Sequence, residues 1–294
     1  MADPRSSGSS PITFDGRVAI VTGAGGGLGR AYALELAHRG ARVVVNDVRG
    51  ATAVVDEIRA EGGDALASPH SVSTEAAGQA IVEEALGAFG SVDVLINNAG
   101  IVRDRSLAKL SAAELEAVLD VHLRGSFHVT QPAFRAMKER GYGRLLFVTS
   151  ASGLFGNFGQ ANYAAAKMGL VGLAMTAAIE GAHYGIQSNA IAPLARTPMT
   201  DGLFGGVMEA FDPEYVVPMA LYLVSESCRL THEIFSAGGG RFARVVVGVT
   251  RGWVSGDAPT LEDVHEHLAE IRDQGDLVLP ASLAEEIELT RSIV

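Results

Sequence analysis

The chain has 294 residues, of which 48% are hydrophobic and 35 are glycine, and its formal net charge at pH 7 is -11. This length and composition predict a single large α/β core with an extension. The acidic balance argues against nucleic acid as a partner, because no basic field is available to neutralise phosphates. Cys228 is the only cysteine, which excludes an intrachain disulfide and a cysteine-built metal site and favours a reducing, cytoplasmic compartment.

Two further composition features concern membranes and the chain start. The apolar stretch at residues 168–179 is too short to span a bilayer, so no membrane association is predicted. Residues 1–12 are expected to be disordered, and the opening sequence lacks the apolar core of a signal peptide.

A glycine-rich loop, TGAGGGLGR, occupies residues 22–30. It is not a P-loop, because no Lys-Ser/Thr pair follows its last glycine, and it also misses the G-x-G-x-x-G dinucleotide pattern. The pattern it does fit is G-x-x-x-G-x-G, through Gly23, Gly27 and Gly29. A strand-like run precedes the loop at residues 17–22 and a helical pattern follows it at residues 28–39. Glycines in this context let a pyrophosphate approach the helix N-terminus closely, although a flexible turn without a ligand is the alternative.

Further along the chain, strand-like runs alternate with helix-length patterns. Strands are predicted at residues 41–46, near 65, and at 92–96, 144–149 and 186–191. Helices are predicted at residues 51–61, 75–89, 111–140 and 163–184. This alternation implies right-handed crossovers and a doubly wound parallel sheet, Rossmann-like in type, at residues 13–240. Ligands of such sheets bind beyond the carboxyl ends of the strands.

The strand ends supply the candidate site residues. Asp47 follows the second strand and is placed to accept hydrogen bonds from a ribose diol and to repel a 2′-phosphate. This favours NAD over NADP as cofactor, with a solvated turn aspartate as the alternative. The other strand ends carry residues 68–71, 97–100, 150–153 and 193–197.

The strongest chemical signal is the pair Tyr163 and Lys167. Residues i and i+4 lie on one face of a helix, so the ammonium can approach the phenol. A free tyrosine has a pKa of about 10, and a cation within about 4–6 Å favours the phenolate. The pair is therefore a candidate acid/base site, unless the spacing is a coincidence.

Together these motifs resemble the short-chain dehydrogenase/reductase family over residues 14–240. The resemblance rests on the glycine loop, on Asn97-Asn98-Ala99-Gly100, and on Ser150 thirteen residues before Tyr163-x-x-x-Lys167. It implies that Tyr163 is the general acid/base, that Ser150 orients the substrate oxygen, and that Lys167 lowers the tyrosine pKa and binds the nicotinamide ribose. Hydride transfer with a nicotinamide is the implied chemistry, and no metal is predicted.

The implied NAD-binding residues form one set across the strand ends. They are Gly23, Gly27, Leu28, Gly29, Asp47, Ser71, Val72, Asn98, Ala99, Gly100, Tyr163, Lys167, Pro193 and Thr197. Two positions depart from the commonest family pattern. His122 stands where most members carry an asparagine that completes a proton relay, so it is either a fourth catalytic residue or a packed core histidine. Pro69-His70-Ser71 replaces the expected adenine-contacting aspartate.

Four segments resemble a subgroup, the (3R)-hydroxyacyl-CoA dehydrogenase portion of peroxisomal multifunctional enzyme type 2 and its stand-alone bacterial relatives. They lie at residues 45–47, 120–126, 152–163 and 213–218. The resemblance implies oxidation of an acyl-CoA thioester with NAD, or of a steroid-like alcohol as in some members. It also implies a homodimer or homotetramer formed through the helices at residues 111–140 and 168–179. The insertion that this portion usually carries after its second strand is absent here.

Cations at the site mouth would be needed to bind the phosphates of CoA to an acidic protein. The candidates are Arg103, Arg105 and Arg196, with solvated loop arginines as the alternative. A 3-oxoacyl-carrier-protein reductase is a rival interpretation, but Asp47 and the net charge of -11 disfavour it. An NAD-binding regulator with a dead site is a second rival, and the intact Ser, Tyr and Lys set disfavours that.

Residues 241–294 lie beyond the predicted catalytic domain. They contain a strand-like run at 243–249, the single tryptophan, Trp253, and a predicted amphipathic helix at 261–272. The segment is expected to pack on the core or at a dimer interface.

Overall fold

A computed structural model describes residues 10–195 and 211–293. The chain divides into two compact units, with the boundary between Arg244 and Val245. This boundary lies four residues beyond the predicted end of the catalytic domain at residue 240. Most of the predicted disordered segment, and two predicted site residues, Arg196 and Thr197, lie outside the described residues.

The first unit is built on an eight-stranded sheet with the order β3-β2-β1-β4-β5-β6-β7-β8. The strands are β1 (Val18–Thr22), β2 (Arg42–Asn46), β3 (Asp64–Ser68), β4 (Val94–Asn97), β5 (Gly143–Val148), β6 (Ile186–Pro193), β7 (Ile234–Gly238) and β8 (Arg241–Val245). The first seven strands pair in parallel. The order reverses between β1 and β4, so the predicted doubly wound sheet is confirmed.

The central strands are continuous apolar runs because both faces of the sheet are covered. Every residue of β1, β4 and β5 is buried, as expected for parallel strands between two helical layers. The helices of this unit are α1 (Gly27–His38), α2 (Ala51–Ala60), α3 (Glu75–Phe89), α4 (Ala112–Leu119), α5 (Gly125–Arg140), α6 (Ala151–Phe155), α7 (Ala161–Gly181) and α8 (Val217–Val224). Helix α1 packs against α2 and α8, whereas α3 packs against α5, and α4 packs against α7.

The helix predicted at residues 111–140 is confirmed from Ala112 to Arg140, but it is not α-helical throughout. A π-helical turn, Asp120–Arg124, separates α4 from α5. Such turns insert one extra residue into a helix and are frequent at functional sites. Here the turn contains His122, whose ring contacts the main chain of Ile101. The sequence pattern missed it because a single added residue barely disturbs helical periodicity.

Helix α7 and the 3₁₀ turn after it confirm the helix predicted at residues 163–184. With the short 3₁₀ turn that follows, residues 161–184 have the length and mean hydropathy of a candidate membrane span. The helix packs against β5, β6 and α6 within the first unit. Burial inside the protein accounts for part of its apolar composition, and Met168 and Ile179 remain exposed.

The second unit contains three helices, α9 (Leu261–Glu266), α10 (Leu268–Ile271) and α11 (Leu283–Ile293). The single helix predicted at residues 261–272 is wrong, because it is interrupted at His267, whose ψ of 10° leaves the α-helical region. The His267 ring stacks on Trp253 with ring centroids 4.2 Å apart. An antiparallel bridge joins Val249 to Val278 in the same unit.

Candidate active site

A cavity of about 330 Å³ opens beyond the carboxyl ends of the strands, where the strand order reverses. Its lining residues are Gly23, Gly26, Gly27, Leu28, Asp47, Asn98, Gly100, His122, Val148, Thr149, Ser150, Tyr163, Lys167, Pro193 and Ala195. Eleven of these belong to the set predicted from the sequence. Gly26, Val148, Thr149 and Ala195 were not singled out individually, although including the last two residues of each strand would have found Val148.

The glycine loop is shaped by close backbone approach. Gly23 has a φ of +64°, and a Cβ atom there would lie 2.7 Å from the Cα of Ala99. A Cβ atom on Gly29 would collide with the carbonyl of Gly23, so Gly29 packs the helix on the loop rather than lining the cavity. A Cβ atom on Gly26 would meet nothing within 4 Å. The space in front of Gly26 is therefore open.

That open space faces the N-terminus of α1. Gly26 is the N-cap residue and supplies no side-chain cap, so the first-turn amides of α1 have no side-chain partner from the N-cap. Amides and the helix dipole at such a terminus bind phosphate. The open space at Gly26 and the first turn of α1, which we call the glycine cradle, fits the pyrophosphate of a dinucleotide.

Two side chains hold the loop to the end of β4. Asn98 Nδ2 donates hydrogen bonds to the carbonyls of Thr22, at 2.9 Å, and Gly23, at 3.0 Å. The hydroxyl of Thr22 accepts from the amides of Asn98 and Ala99. Ala99 therefore supports the loop from behind, and it does not line the cavity.

Asp47 stands at the end of β2, at one side of the cavity. One carboxylate oxygen accepts from the amide of Gly25, at 3.0 Å, and the other from the amide of Arg49, also at 3.0 Å. Each oxygen keeps further acceptor capacity. The carboxylate is thus held rigidly, and its charge is available to hydroxyl donors such as a ribose diol.

Ser150, Tyr163 and Lys167 converge at the other side of the cavity. Ser150 is the N-cap of α6, and its hydroxyl, which accepts from the amide of Ser152 at 3.1 Å, lies near enough to the Tyr163 phenol to influence the pKa of the tyrosine. Lys167 is one helical turn after Tyr163, and its Nζ lies 5.5 Å from the centre of the tyrosine ring. The ammonium donates to the carbonyl of Val148 at 2.6 Å, while the hydroxyl of Thr149 donates to the Lys167 carbonyl at 2.6 Å.

Burial changes the acid/base properties of both groups. It raises the pKa of Tyr163 above its ordinary value; the nearby Ser150 hydroxyl lowers that pKa, and the charge of Asp104 raises it. The expectation that Lys167 would lower the tyrosine pKa is thus outweighed by burial. Burial also lowers the pKa of Lys167 to about 7, so near neutral pH only about half of the molecules carry the ammonium that attracts a phenolate.

His122 is fully buried beside this pair. Its ring lies edge-on to the ring of Tyr163, with centroids 5.1 Å apart. Nε2 lies 2.7 Å from the carbonyl oxygen of Ile101 and 2.9 Å from its amide nitrogen, whereas Nδ1 has no hydrogen-bond partner among the described residues. Burial and the charge of Lys167 lower the pKa of His122 to about 3. The ring is therefore neutral at physiological pH, and a Cβ atom on Gly100 would collide with it.

The remaining predicted residues lie outside the cavity lining. Val72 is buried, and a Cβ atom on Gly125 would lie 2.7 Å from its Cγ2 atom. The Ser71 hydroxyl bonds to that of Ser73 at 2.8 Å. Arg103 is exposed, and Arg105 forms an ion pair with Glu114 at 3.1 Å.

The described residues contain no group of three or more His, Cys, Asp and Glu side chains that could hold a metal ion. The donors around the cavity are instead amides, hydroxyls, one carboxylate and one amine. This set suits a dinucleotide and a substrate oxygen.

Comparison with known proteins places this architecture in a family. A model described as short chain dehydrogenase matches residues 17–204. The chain is 45% identical to peroxisomal multifunctional enzyme type 2 of Mus musculus, covering 94% of this chain and 39% of the relative. It is 42% identical to hydroxyacyl-CoA dehydrogenase ChsB1 of Mycobacterium tuberculosis, with 76% of each chain covered.

A solved structure agrees with the sequence relatives. Full-length peroxisomal multifunctional enzyme type 2 from Drosophila melanogaster superposes with a TM-score of 0.83 at 42% identity, covering 96% of this chain and 50% of that one. The chain thus spans about half or less of the multifunctional enzymes that it matches. The resemblance predicted from the motifs is confirmed, and the chain belongs to the short-chain dehydrogenase family.

Proposed function

We propose that this protein is an NAD-dependent oxidoreductase that interconverts 3-hydroxyacyl-CoA and 3-oxoacyl-CoA thioesters. The observation that carries the reaction class is the convergence of Ser150, Tyr163 and Lys167 in one cavity with the glycine cradle. Support for the thioester comes from the relatives, one of which is named a hydroxyacyl-CoA dehydrogenase.

The residues act on the substrate oxygen. Ser150 and Tyr163 line the same cavity, and each hydroxyl can donate to one substrate oxygen placed between them. In the oxidative direction the Tyr163 phenolate takes the hydroxyl proton as the C–H bond breaks, and in the reductive direction the phenol returns it. NAD, when bound, supplies the acceptor for the hydride that leaves the substrate carbon. Lys167 attracts the phenolate whenever the lysine is protonated.

Three parts of the cavity would hold the cofactor. The open cradle at Gly26 and the first turn of α1 suit the pyrophosphate. Asp47 suits the adenosine ribose diol and disfavours a 2′-phosphate. Tyr163 and Lys167 suit the nicotinamide ribose, because Lys167 uses only one of its three N–H donors, on Val148, among the described residues.

Cofactor choice tests the role of Asp47. We expect NAD to be preferred over NADP by at least about tenfold in kcat/KM, and Asp47→Ala to narrow that ratio by removing the diol acceptor. A matched control is Asp56→Asn, which removes an exposed carboxylate on α2. Faster turnover of NADP by the unmodified protein would contradict the assignment.

Substrate class is tested with a panel assayed in both directions with NAD and NADP. The panel contains a 3-hydroxyacyl-CoA, the same acyl group on a short uncharged thioester, a hydroxysteroid and a 3-oxoacyl carrier protein. We expect the CoA thioester to give the highest kcat/KM. A strong preference for the steroid or the carrier protein would replace the proposed substrate while leaving the reaction class intact.

We also propose a homodimer or homotetramer formed through α5 and α7. These helices leave large apolar side chains exposed, including Phe127 at 49%, Met168 at 43% and Ile179 at 50%. A cavity of about 540 Å³ lies between the two helices. Patches of this kind mark association surfaces, and a monomer found by light scattering at micromolar concentration would contradict the proposal.

A cytoplasmic location is proposed on the basis of the single cysteine. Cys228 is buried and free, which suits a reducing compartment. Imaging of a tagged chain in its native cell tests this proposal, and a signal confined to an organelle would contradict it.

A further inference from the structure

The connection between β4 and α4 contains residues 101–106, which we call the β4–α4 loop. We propose that Asp104 in this loop is a positioning residue for the reaction. Through Gln160 it holds the loop on the first turn of α7, where Tyr163 lies, and its carboxylate brings a negative charge to that segment. This inference rests on the proposed role of Tyr163 as the acid/base.

The contact between Asp104 and Gln160 is specific. Gln160 Nε2 donates to a carboxylate oxygen of Asp104 at 2.8 Å. The other end of the same amide accepts from Asn157 Nδ2 at 2.9 Å. The Gln160 side chain is buried, with 5% of the residue exposed. Both ends of the amide are therefore used, and its orientation is fixed three residues before Tyr163.

Backbone contacts hold the same two segments together. The amide of Arg105 donates to the carbonyl of Gly159 at 2.7 Å. Asn162, which is fully buried, donates to the carbonyls of Arg103, at 3.0 Å, and Glu114, at 3.2 Å. Its Oδ1 atom accepts from the amide of Tyr163 at 2.8 Å. The start of α7, and with it the tyrosine, is thus hydrogen-bonded to the loop that carries Asp104.

Four side chains from four different segments influence or contact Tyr163. They are Lys167 on the same helix, His122 in the π-helical turn, Ser150 at the start of α6, and Asp104 in the β4–α4 loop. His122 is neutral because its pKa is lowered to about 3. Arg105, next to Asp104, is paired with Glu114. The charge of Asp104 raises the pKa of Tyr163.

The size of this effect is limited by solvent. Asp104 is an exposed residue, so its interaction with the phenol is screened by water and salt. The direction is defined, because a negative charge disfavours a second negative charge nearby.

The test uses Asp104→Asn, in which the amide oxygen still accepts from Gln160 while the charge is removed. We expect the rising limb of kcat/KM against pH, measured for alcohol oxidation, to move to lower pH by about half a unit at low salt. The shift should shrink in high salt, which a purely structural role would not produce. Asp56→Asn is the matched control and should leave the profile in place.

Two further measurements test the two parts of the inference separately, and the first of them does not depend on activity. The Tyr163 phenolate is titrated by its ultraviolet absorbance, with Tyr163→Phe subtracted to remove the other tyrosines, and Asp104→Asn should again lower the midpoint. Gln160→Leu keeps the charge but removes the contact, and it should lower kcat by about tenfold, because the tyrosine is no longer held in place. An unshifted midpoint in Asp104→Asn overturns the electrostatic role, and normal kcat in Gln160→Leu overturns the positioning role. An unmodified protein without dehydrogenase activity would instead refute the proposed function.

Discussion

Both ends of the parallel sheet contain buried charged or titratable groups, but these groups differ in how many hydrogen-bond and ion-pair partners they have. At the amino end, Asp93 precedes β4 and Arg144 lies in β5; both are nearly inaccessible to solvent. At the carboxyl end, Lys167 and His122 are equally buried. The four residues are therefore similarly shielded from water, and what distinguishes them is how completely their polar atoms are hydrogen-bonded.

At the amino end, the two buried charges each have several partners. Asp93 accepts from the amide of Val18 and the hydroxyl of Ser91, both at 2.9 Å, and forms ion pairs with Arg17 and Arg140. Arg144 donates to the carbonyls of residues 143, 185 and 225. Buried charges with this many partners stabilise a structure and do little else.

At the carboxyl end, the buried groups have fewer hydrogen-bond partners. Lys167 has one hydrogen-bond acceptor for its ammonium among the described residues, and His122 Nδ1 has no partner there. Their pKa values fall to about 7 and about 3 as a result of burial. Incomplete bonding at a buried group, together with a perturbed pKa and an adjacent cavity, indicates a site that is completed by ligands.

The largest expected effect is a loss of catalytic rate in a variant whose fold is unchanged. Tyr163→Phe keeps the ring but removes the transferable proton, so kcat should fall by about a thousandfold. NAD binding, measured by calorimetry, should persist because the cradle and Asp47 are unchanged. Tyr222→Phe, at a partly exposed position on α8, is the matched control. Full activity of Tyr163→Phe would remove the tyrosine from the mechanism.

The reverse pattern is expected at the amino end. Asp93→Asn leaves Arg17 and Arg140 without their buried partner, and it should lower the free energy of unfolding by about 2–3 kcal/mol. Urea denaturation measures this loss. Activity per folded molecule should remain normal, and a variant that is stable but inactive would contradict the contrast between the two ends.

The pH dependence of the unfolding free energy should differ between the unmodified protein and Lys167→Met, because only the former buries a lysine at the carboxyl end. The pKa of Lys167 is about 7 in the folded protein and about 10.4 in an unfolded chain. Between these values the unfolded chain binds more protons, so the stability of the unmodified protein rises with pH. Its unfolding free energy, relative to that of Lys167→Met, should increase by about 2 kcal/mol from pH 7 to pH 9. A constant difference would mean that the lysine is not desolvated.

The smallest effect concerns an exposed charge at the catalytic end. Arg103 forms no ion pair among the described residues, unlike Arg105. Arg103→Glu should therefore raise KM for 3-hydroxyacyl-CoA by about fivefold at low salt, and hardly change KM for the short uncharged thioester. Steady-state kinetics at two salt concentrations measure this difference. An equal change for both thioesters would exclude a role for Arg103 in binding CoA phosphates.

The sequence predicted the first six strands and most of the cavity because both depend on local patterns, but it missed β7 (Ile234–Gly238) and placed β8 a few residues too late. Strand-like runs have to be apolar when both faces are covered, and the spacing from Ser150 to Tyr163 and Lys167 is written directly in the chain. What it missed depends on contacts between distant segments. The π-helical turn at His122 accompanies a ring that bonds to Ile101, and the contact between Asp104 and Gln160 joins two loops 56 residues apart. Contacts between distant segments leave no periodic pattern in the sequence from which they could be predicted.

The stack between Trp253 and His267 has a practical consequence. Because Trp253 is the only tryptophan in the chain, its fluorescence is a local probe within the unit that begins at Val245. Far-ultraviolet circular dichroism, in contrast, is dominated by the α/β unit. Recording both signals along one denaturation curve therefore reveals whether the two units unfold in one transition or in two.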